Sequence, residues 1–544
     1  MKAWPRPFWS LNGAVATPNA LASGAALRIL AQGGNAVEAA IAAAATMAVV
    51  YPHMNGIGGD NVWLIHDGRK SETRALLGIG RAGQGVSIDA YVARGISGTL
   101  PARGVLAANT APGAIDGWWE AYQYSVSQLD GRLDWPELLA AAISYADEGY
   151  PVTESQATWS MLLPELAEQY SLPGLRETYL TKAGQPPRVG ERQRVSGLAE
   201  TLREVAKAGR DGFYRGLVAE SIIEEIQAAG GLLEYDDWTR PHATWDTPLS
   251  LPYRGRYQLI NTPAPTQGFS ALMLLGLVEH FPLPTWDRQS ARYIHVMIES
   301  AKLALNCRNQ ELGDPDYMHY PAQQLLSPAN LRAAARHIDA DGAALDIPLD
   351  RPWDGGTVAI MTADRMGNAV SLIQSIYHDF GSGFIAQRSG VLLQNRGTSF
   401  RLEKDTPNSL MPGKRPAHTL CAAMVMREQR PLLVYGTMGG DGQPQTQSAV
   451  ATGVLDYGLN VQEALSAPRW LYGRTWGETQ AAVVLENRFS DAVLQDLRRR
   501  GHQVSVVSSY DDKLGHAQAI MIDAVTSAMA AATDPRSDGG AYSW

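Results

Sequence analysis

The sequence predicts an α+β fold in which antiparallel sheets are covered by helices. Helical periodicity dominates residues 117–228 and 267–336, whereas the chain after residue 356 consists mainly of short apolar strands. Pairs of these strands are separated by short polar turns, which indicates hairpins. Their continuous apolar character indicates that both faces are covered. We therefore expect helices packed over buried antiparallel sheets.

The first elements are a strand-like segment, "GAVATP", and two alanine-rich helices. The first helix covers residues 20–32 and stops at Gly33-Gly34, and Asn35 is the expected N-cap of the second, which ends before Pro52. Alanine on every face indicates helices that pack closely against other elements. We expect a structural role for both.

Overall composition excludes several classes of protein. With 544 residues, 45% hydrophobic and 19% charged, the chain can form one large body or two domains that share a core. A net charge of -9 without a block of like charges argues against nucleic-acid binding. The longest apolar helical run, residues 36–50, is shorter than the ~20 residues of a membrane-spanning helix.

The expected location is the cytoplasm. Cys307 and Cys421 provide no disulfide framework and no CxxC motif, which fits a reducing compartment. The start of the chain, "MKAWPRPFWSLNG", has prolines and tryptophans where a signal peptide requires an unbroken apolar core.

The middle of the chain contains the best candidate for a domain boundary. Between the two helical stretches, "PLSLPYRGRYQLINTPAP" predicts short strands broken by turns. The polar segment "DADGAALDIPLDRPWDGG", residues 339–356, then ends the helical pattern. Hairpins follow in "TVAIMTADRMGNAVSLIQSIY" and "TLCAAMVMREQRPLLVYGT", and late amphipathic helices in "NVQEALSAPRW" and "DAVLQDLRRRG". The sequence shows no internal repeat.

Common catalytic motifs are absent or incomplete. "GIGRAG", residues 78–83, matches a dinucleotide-binding pattern, but no helix pattern follows it and no acidic residue lies between Asp89 and Asp116. A loop with a polar role for Arg81, or a turn with a surface arginine, is the better interpretation. The eleven histidines lack metal-ligand spacing and no G-x-S-x-G occurs, so we expect no metal, no other cofactor and no serine-hydrolase site.

Three glycine clusters remain: "NGIGGD", "FGSG" and "GTMGGDGQPQ". Each fits an ordinary turn. Glycines also allow backbone N–H groups to approach a reacting oxygen, as an oxyanion hole requires.

A threonine preceded by two glycines, in "WDGGTVAIMTAD", suggests a specific chemistry. An N-terminal threonine carries its own base, because its free α-amine has a pKa near 8. Thr357 lies inside the chain, so it would need cleavage of the Gly356–Thr357 bond. Glycine suits that step because it tolerates a strained turn. From the residues alone, a glycine turn before a strand remains the favoured interpretation.

Several motifs together resemble the γ-glutamyltransferase family of self-processing N-terminal-nucleophile hydrolases. They are "GAVATPNALASGAALRILAQGGNAVEAAIAA", "IGGD", "NTAPGAIDGW", "DYGLNVQEALSAPR" and "DPRSDGGA", and they extend over nearly the whole chain. The resemblance implies an αββα sandwich, a large chain 1–356 and a small, strand-rich chain 357–544. It implies a heterodimer of these chains and leaves further dimerisation open.

The resemblance also assigns functional residues. Counting back from "DRMGNAV" places the family's nucleophile at Thr357. The second hydroxyl of the family falls on Ser375, a serine in place of the usual threonine. The oxyanion donors fall on Gly439 and Gly440.

The sequence departs from the family pattern at positions that contact the substrate in glutathione-type members. "VAIM" follows Thr357 where glutathione-type members have T-H-F/Y-S, and the anchor arginine, Arg81, is displaced by about two positions. Ser399 occupies the place of the aspartate that holds the glutamyl α-amine, and Arg396 is additional. Without that carboxylate, the buried ammonium group of a γ-glutamyl substrate would lack a partner, and we expect such substrates to be rejected.

The paired serines of the family correspond to Ala417, His418 and Thr419. The expected substrate-binding set consists of Arg81, Arg396, His378, His418 and Thr419. The resemblance favours the branch that includes oxamate amidohydrolase, which converts oxamate to oxalate and ammonia in the breakdown of purines (uric acid and allantoin). A γ-glutamyl hydrolase or transferase and a processed but catalytically silent binding protein are the alternatives.

Overall fold

The computed structural model of the chain describes residues 6–347, 355–473 and 482–544. In these ranges the strands are, in chain order, β1 (Phe8–Ser10), β2 (Gly13–Thr17), β3 (Asp60–Asp67), β4 (Glu72–Gly78), β5 (Tyr150–Pro151), β6 (Arg192–Gln193), β7 (Ala243–Asp246), β8 (Leu249–Tyr253), β9 (Tyr257–Asn261), β10 (Gly356–Asp364), β11 (Ala369–Tyr377), β12 (Ile385–Ala386), β13 (Val391–Leu392), β14 (Ala423–Arg427), β15 (Arg430–Thr437), β16 (Trp470–Gly473), β17 (Ala482–Glu486), β18 (Val504–Val507), β19 (Ala517–Ile522), β20 (Met529–Thr533) and β21 (Gly540–Ser543).

The α-helices of the same ranges are α1 (Ala20–Ala31), α2 (Ala36–Val50), α3 (Ile88–Val92), α4 (Ala114–Gln128), α5 (Trp135–Glu148), α6 (Glu154–Ser160), α7 (Leu163–Gln169), α8 (Pro173–Tyr179), α9 (Ser196–Ala208), α10 (Asp211–Tyr214), α11 (Gly216–Ala228), α12 (Tyr235–Thr239), α13 (Gly268–Val278), α14 (Ala291–Glu311), α15 (Ala322–Leu325), α16 (Pro328–Ala335), α17 (Gly442–Leu455), α18 (Val461–Ser466) and α19 (Asp491–Arg499). The predicted helical stretches and hairpins are confirmed. One late helix is shorter than predicted, because α18 ends at Ser466 just before Pro468.

Two antiparallel sheets of seven described strands each form the centre of the fold. Their orders are β21-β2-β10-β11-β3-β4-β7 and β1-β20-β19-β15-β14-β9-β8. Residues on both sides of the predicted cleavage point contribute strands to both sheets. We call the sheet that contains β10 the nucleophile sheet and the other the partner sheet.

Three apolar clusters define the layers. The cluster between the two sheets contains residues from both, among them Val62, Leu64, Ala359, Met361, Met424, Val434 and Ile520. Helices α1, α2 and α4 pack on the outer face of the nucleophile sheet, with α5 against α2. Helices α13, α17 and α18 pack on the outer face of the partner sheet, with α14 against α13. The architecture is therefore the predicted α+β, αββα sandwich.

Helix α2 fixes the position of strand β10. Asn35 caps α2 as predicted, and its side chain accepts hydrogen bonds from the backbone N–H groups of Val37 and Glu38. The Thr362 hydroxyl donates to the carbonyl of Ala36 at 2.7 Å, and the N–H of Ala36 donates to Asp364 at 2.8 Å. Both bonds are buried, so the strand that begins at Gly356 is held in one register against its helical cover.

The "DPRSDGGA" segment supplies a buried ion-pair network at the C-terminal side of the partner sheet. Arg536 pairs with Glu486 at 2.6 Å and with Asp534 at 2.9 Å, and Arg469 pairs with Asp534 at 2.7 Å. Burial alone would raise the pKa of Asp534, but the two arginines lower it to about 2. This part of the family signature has a structural role.

No helix among the described residues is both long and apolar enough to cross a lipid bilayer.

Candidate active site

Thr357 lies on β10, between β2 and β11 in the middle of the nucleophile sheet, and only 1% of its surface is exposed. The pairing of β10 with β11 shifts register at this point: Gly356 is opposite Tyr377, and Val358 is opposite Gln374. A bulge of this kind changes the direction of the side chains beside it. It brings the hydroxyls of Thr357 and Ser375 together.

Ser375 connects the candidate nucleophile with the carbonyl before it. The Thr357 hydroxyl donates to Ser375 Oγ at 3.4 Å, and the Ser375 hydroxyl donates to the carbonyl oxygen of Gly356 at 2.6 Å. The N–H of Tyr377 donates to Ser375 Oγ at 2.8 Å. Tyr377 has φ of 79°, an uncommon value for an aromatic residue, so strained backbone supports this arrangement.

The glycine before Thr357 is closely packed. A Cβ atom on Gly356 would lie 2.6 Å from Asp379 Oδ1 and 3.2 Å from the Cα atom of Met54. A larger side chain at this position would therefore have to displace the Asp379 carboxylate and press on the Met54 backbone. Residues 348–354 of the predicted boundary segment, including Trp353 and Asp354 of "WDGGTVAIMTAD", lie outside the described residues.

Gly439 and Gly440 form the turn between β15 and α17. Their φ values are 117° and 48°, in the region that favours glycine. The carbonyl of Gly440 accepts a hydrogen bond from Gln267 Nε2 at 2.8 Å. Across the described ranges, neither backbone N–H of the pair donates a hydrogen bond to a protein group. Both are available to bind an oxyanion.

Arg396 brings a cation into the same region. Its side chain is fully buried, its guanidinium lies 3.5 Å from the centroid of the Tyr377 ring, and Nη2 donates to Thr419 Oγ1 at 2.7 Å. Thr419 is connected through its carbonyl to Gln267, the side chain that also holds Gly440. A chain of contacts thus runs from Ser375 through Tyr377 and Arg396 to the glycine turn.

The charge of Arg396 is not balanced by an ion pair. Among the described residues no carboxylate lies within salt-bridge distance of its guanidinium, and Nε has no hydrogen-bond partner. Burial lowers the pKa of Arg396 to about 10, so it remains protonated at neutral pH.

His418 is held by a carboxylate that the sequence analysis did not assign. Nε2 of His418 lies 3.2 Å from Asp60 Oδ2, and Nδ1 accepts from the N–H of Leu420. The other oxygen of Asp60 accepts from the N–H groups of Gly80 and Gly113 and from Gln394. Burial and the nearby Arg396 lower the pKa of His418 to about 4, so it is neutral near pH 7.

His378 stacks on the Tyr377 ring, with 4.3 Å between ring centroids. Its Nδ1 atom lies 2.8 Å from the side-chain amide of Asn395, which also donates to the carbonyl of Ala102. Burial lowers the pKa of His378 well below its usual value, and the cations Arg103 and Arg396 lower it further. His378 therefore contributes an uncharged side chain to this region.

Arg81 is directed elsewhere. Its Nη1 atom donates to the carbonyl of Gly413 at 3.2 Å and lies 3.6 Å from Asp314 Oδ2, while Arg415 binds the same carboxylate at 2.9 Å. The Arg81 side chain is about one-third exposed. Arg396 donates to Thr419 and acts electrostatically on His418, and both Arg396 and His378 contact the Tyr377 ring. Arg81 instead belongs to a separate ion-pair cluster with Asp314 and Arg415.

Three further residues belong to this region and were missed. Asp60 holds His418, and Asp379 lies beside Gly356. Arg103 donates from a single nitrogen to the carbonyls of Asp379 and Gly381. Asp60 ends the "NGIGGD" cluster and Asp379 precedes the "FGSG" glycines, so both had a weak sequence signal. Arg103 had none.

A group with the composition of a metal site occurs in the described chain at His295, Glu299 and His502. It packs between α14 and the end of α19, outside the partner sheet. The two imidazoles lie 2.8 Å apart in a hydrogen bond, and the Lys302 ammonium is 2.9 Å from Glu299. The lysine already neutralises the carboxylate, so this group does not call for a cation.

Comparison with known proteins gives a consistent result. The family model described as Gamma-glutamyltranspeptidase matches residues 22–544. The oxamate amidohydrolase proenzyme of Klebsiella pneumoniae is 41% identical over 98% of this chain and 98% of its own length. The glutathione hydrolase-like YwrD proenzyme of Bacillus subtilis is 39% identical over 97% of both chains.

Among solved structures, cephalosporin acylase from Bacillus halodurans superimposes with a TM-score of 0.91 at 35% identity. The match covers 100% of this chain and 98% of that chain. Fold and sequence therefore agree along the length of the molecule.

Proposed function

Because this chain belongs to the gamma-glutamyltranspeptidase family, we propose that it is a self-processing threonine amidohydrolase acting on a small amide that bears a carboxylate. It is a hydrolase of amide C–N bonds, in the N-terminal-nucleophile class. Oxamate is the proposed substrate, with oxalate and ammonia as products. Its place in purine degradation, in the cytoplasm, is part of the same proposal.

Maturation would begin at the Gly356–Thr357 bond. Thr357 Oγ attacks the carbonyl carbon of Gly356, the hydroxyl proton passes to the Thr357 nitrogen as the C–N bond breaks, and an ester joins Gly356 to the threonine side chain. This step frees the Thr357 α-amine. Water then hydrolyses the ester, which releases the Gly356 carboxylate and the Thr357 hydroxyl. The Ser375 hydroxyl, 2.6 Å from the Gly356 oxygen, is placed to stabilise the negative charge that develops there.

We expect Ser375→Ala to slow this cleavage by about 10²-fold, in the range known for loss of one oxyanion donor. Ser371→Ala is the matched control, because Ser371 lies buried on the same strand but donates to Tyr435. Gel electrophoresis of freshly purified protein over time measures the rate. Equal cleavage rates in both variants would contradict the assigned role.

The mature enzyme would use the same groups for catalysis. Thr357 Oγ attacks the substrate carbonyl while the α-amine takes its proton, and the N–H groups of Gly439 and Gly440 stabilise the oxyanion. The α-amine then protonates the leaving nitrogen, ammonia departs, and an acyl-enzyme remains. Water hydrolyses that ester to complete the cycle.

The guanidinium of Arg396, which has no ion-pair partner among the described residues, is the main support for a substrate that bears a carboxylate. A buried cation without a carboxylate of its own is a strong site for the carboxylate of a ligand. The place of the family's amine-binding aspartate is Ser399, whose hydroxyl donates to the carbonyl of Ala417 at 2.9 Å. The carboxylate of Asp60 is occupied by four donors. These features favour an anion without a free amine.

The position of the Asp379 carboxylate favours the second candidate, a γ-glutamyl hydrolase. This carboxylate lies next to Gly356 and near Arg103, and an ammonium group could approach it. Oxamate is preferred because the positive charge of Arg103 lies near this carboxylate and attracts it electrostatically.

A substrate panel tests the proposal. Processed enzyme is incubated with oxamate, with glutathione and with an acylated cephalosporin, and ammonia, glutamate or the free amine is measured. We expect kcat/KM for oxamate to exceed that for glutathione by at least about 10²-fold, the size of a lost ionic contact. Faster glutamate release would establish the second candidate, and no turnover of any amide would indicate a silent binding protein.

A further inference from the structure

Two buried histidines near the candidate active site have no role in the steps above. His516 is 1% exposed, and neither of its ring nitrogens has a hydrogen-bond partner among the described residues. His53 is fully buried; its Nε2 atom lies 3.0 Å from Ser155 Oγ, but Nδ1 has no partner. Buried polar atoms without partners cost about 1–3 kcal/mol each, so such a cluster requires a ligand or water.

His516 lies beside the glycine turn. Its carbonyl accepts from the N–H of Met438 at 3.2 Å, and a Cβ atom on the preceding Gly515 would lie 3.1 Å from the Met438 carbonyl oxygen. The same Cβ position is 3.5 Å from the hydroxyl of Thr446, which is buried and also unpaired. The three polar atoms without partners, Nδ1 and Nε2 of His516 and Oγ1 of Thr446, thus belong to residues that pack near the segment that holds Gly439.

His53 lies beside the scissile glycine. Met54, the next residue, places its Cα atom 3.2 Å from a Cβ position on Gly356. The carbonyl of His53 accepts from the N–H of Phe380 at 2.8 Å, in the loop that carries Asp379. His53 is therefore next in the chain to a residue that packs against Gly356, and its backbone is bonded to the loop that carries Asp379.

Both imidazoles are neutral. Both ring nitrogens of His516 are available for hydrogen bonds, whereas His53 has only Nδ1 available because its Nε2 contacts Ser155. Burial lowers the pKa of His516 to about 4 and the pKa of His53 well below its usual value, and His516 lowers the latter further through its proximity. A neutral imidazole offers one donor and one acceptor. Water is the smallest molecule that satisfies several such groups together.

We propose that His53 and His516 bind and orient the water that hydrolyses the acyl-enzyme, a role that rests on the function proposed above. The water oxygen bonds to the acyl carbon as the bond from that carbon to Thr357 Oγ breaks. One water proton passes to the Thr357 α-amine and then to the departing Oγ. The histidines position the water and gain no net proton.

Pre-steady-state kinetics with oxamate test this assignment. In His516→Gln we expect an ammonia burst at the wild-type rate, oxalate release slowed at least about 10-fold, and acyl-enzyme detected on the chain that begins at Thr357 by intact-mass spectrometry. His53→Asn should behave alike. Hydroxylamine, which attacks the ester without an oriented water, should restore turnover in both variants.

His66→Gln is the matched control, because His66 is equally buried but binds Thr73 on a neighbouring strand. Equal slowing of the burst and of oxalate release, or no slowing in either variant, would overturn the assignment. A high-resolution crystal structure of the processed wild-type enzyme gives a test independent of substrate: we expect an ordered water bonded to His516 and His53. If oxamate gives no ammonia, the proposed substrate fails; if that water is absent, this inference fails.

Discussion

Thr357→Ala is expected to yield a single chain of about 58.8 kDa and to abolish amidase activity, with a loss of at least about 10³-fold. The substitution removes the hydroxyl that attacks Gly356 and, in the mature enzyme, the nucleophile itself. Packing should change little, because the Thr357 hydroxyl makes only a long 3.4 Å bond to Ser375. Intact-mass spectrometry and ammonia release measure both effects.

Thr362→Ala serves as the control for this experiment. Thr362 lies buried on the same strand, and its hydroxyl donates to the carbonyl of Ala36 at 2.7 Å. We expect normal cleavage and activity together with a stability loss of about 1–2 kcal/mol. A wild-type protein that stays uncut, or a Thr357→Ala protein with a fragment that begins at residue 357, would refute the maturation mechanism.

The helix-covered antiparallel sheets and several elements were predictable because local rules determine them, whereas the order of the layers followed from the family resemblance. Asn35 is an N-cap followed three residues later by Glu38, which completes a capping box. The strands of the hairpin around Gly367 are buried on both faces, as their apolar runs indicate. Family motifs located Thr357 and Ser375, and the structure places these two hydroxyls in contact.

The remainder of the site depends on contacts between distant parts of the chain. Asp60 meets His418 although 358 positions separate them, and Arg103 meets Asp379 across 276 positions. His295 and His502 come together in the same way. No spacing rule within one sequence encodes such pairs, because the sheet order brings them together. The sequence could therefore name two candidate arginines without deciding which one faces the nucleophile.

Substitution by methionine should reduce activity at Arg396 and have little effect at Arg81. Arg396→Met is expected to reduce kcat/KM for oxamate by about 10²–10³-fold, because a carboxylate loses two charge-assisted hydrogen bonds. Stability should stay equal or rise. Burial lowers the pKa of this guanidinium to about 10, which corresponds to a cost of roughly 3 kcal/mol for keeping the charge inside the protein, and methionine removes that cost.

Arg81→Met is the matched comparison. Arg81 is part-exposed and shares Asp314 with Arg415, so its loss leaves that carboxylate paired and should change the free energy of unfolding by less than about 1 kcal/mol. We expect kcat/KM for oxamate to stay within about threefold of wild type, since the Arg81 guanidinium faces Gly413 and Asp314. Denaturant unfolding and steady-state kinetics on both variants separate the two effects. A catalytic loss in Arg81→Met with normal kinetics in Arg396→Met would move the carboxylate site to the displaced arginine, and the buried charge of Arg396 would then need another explanation.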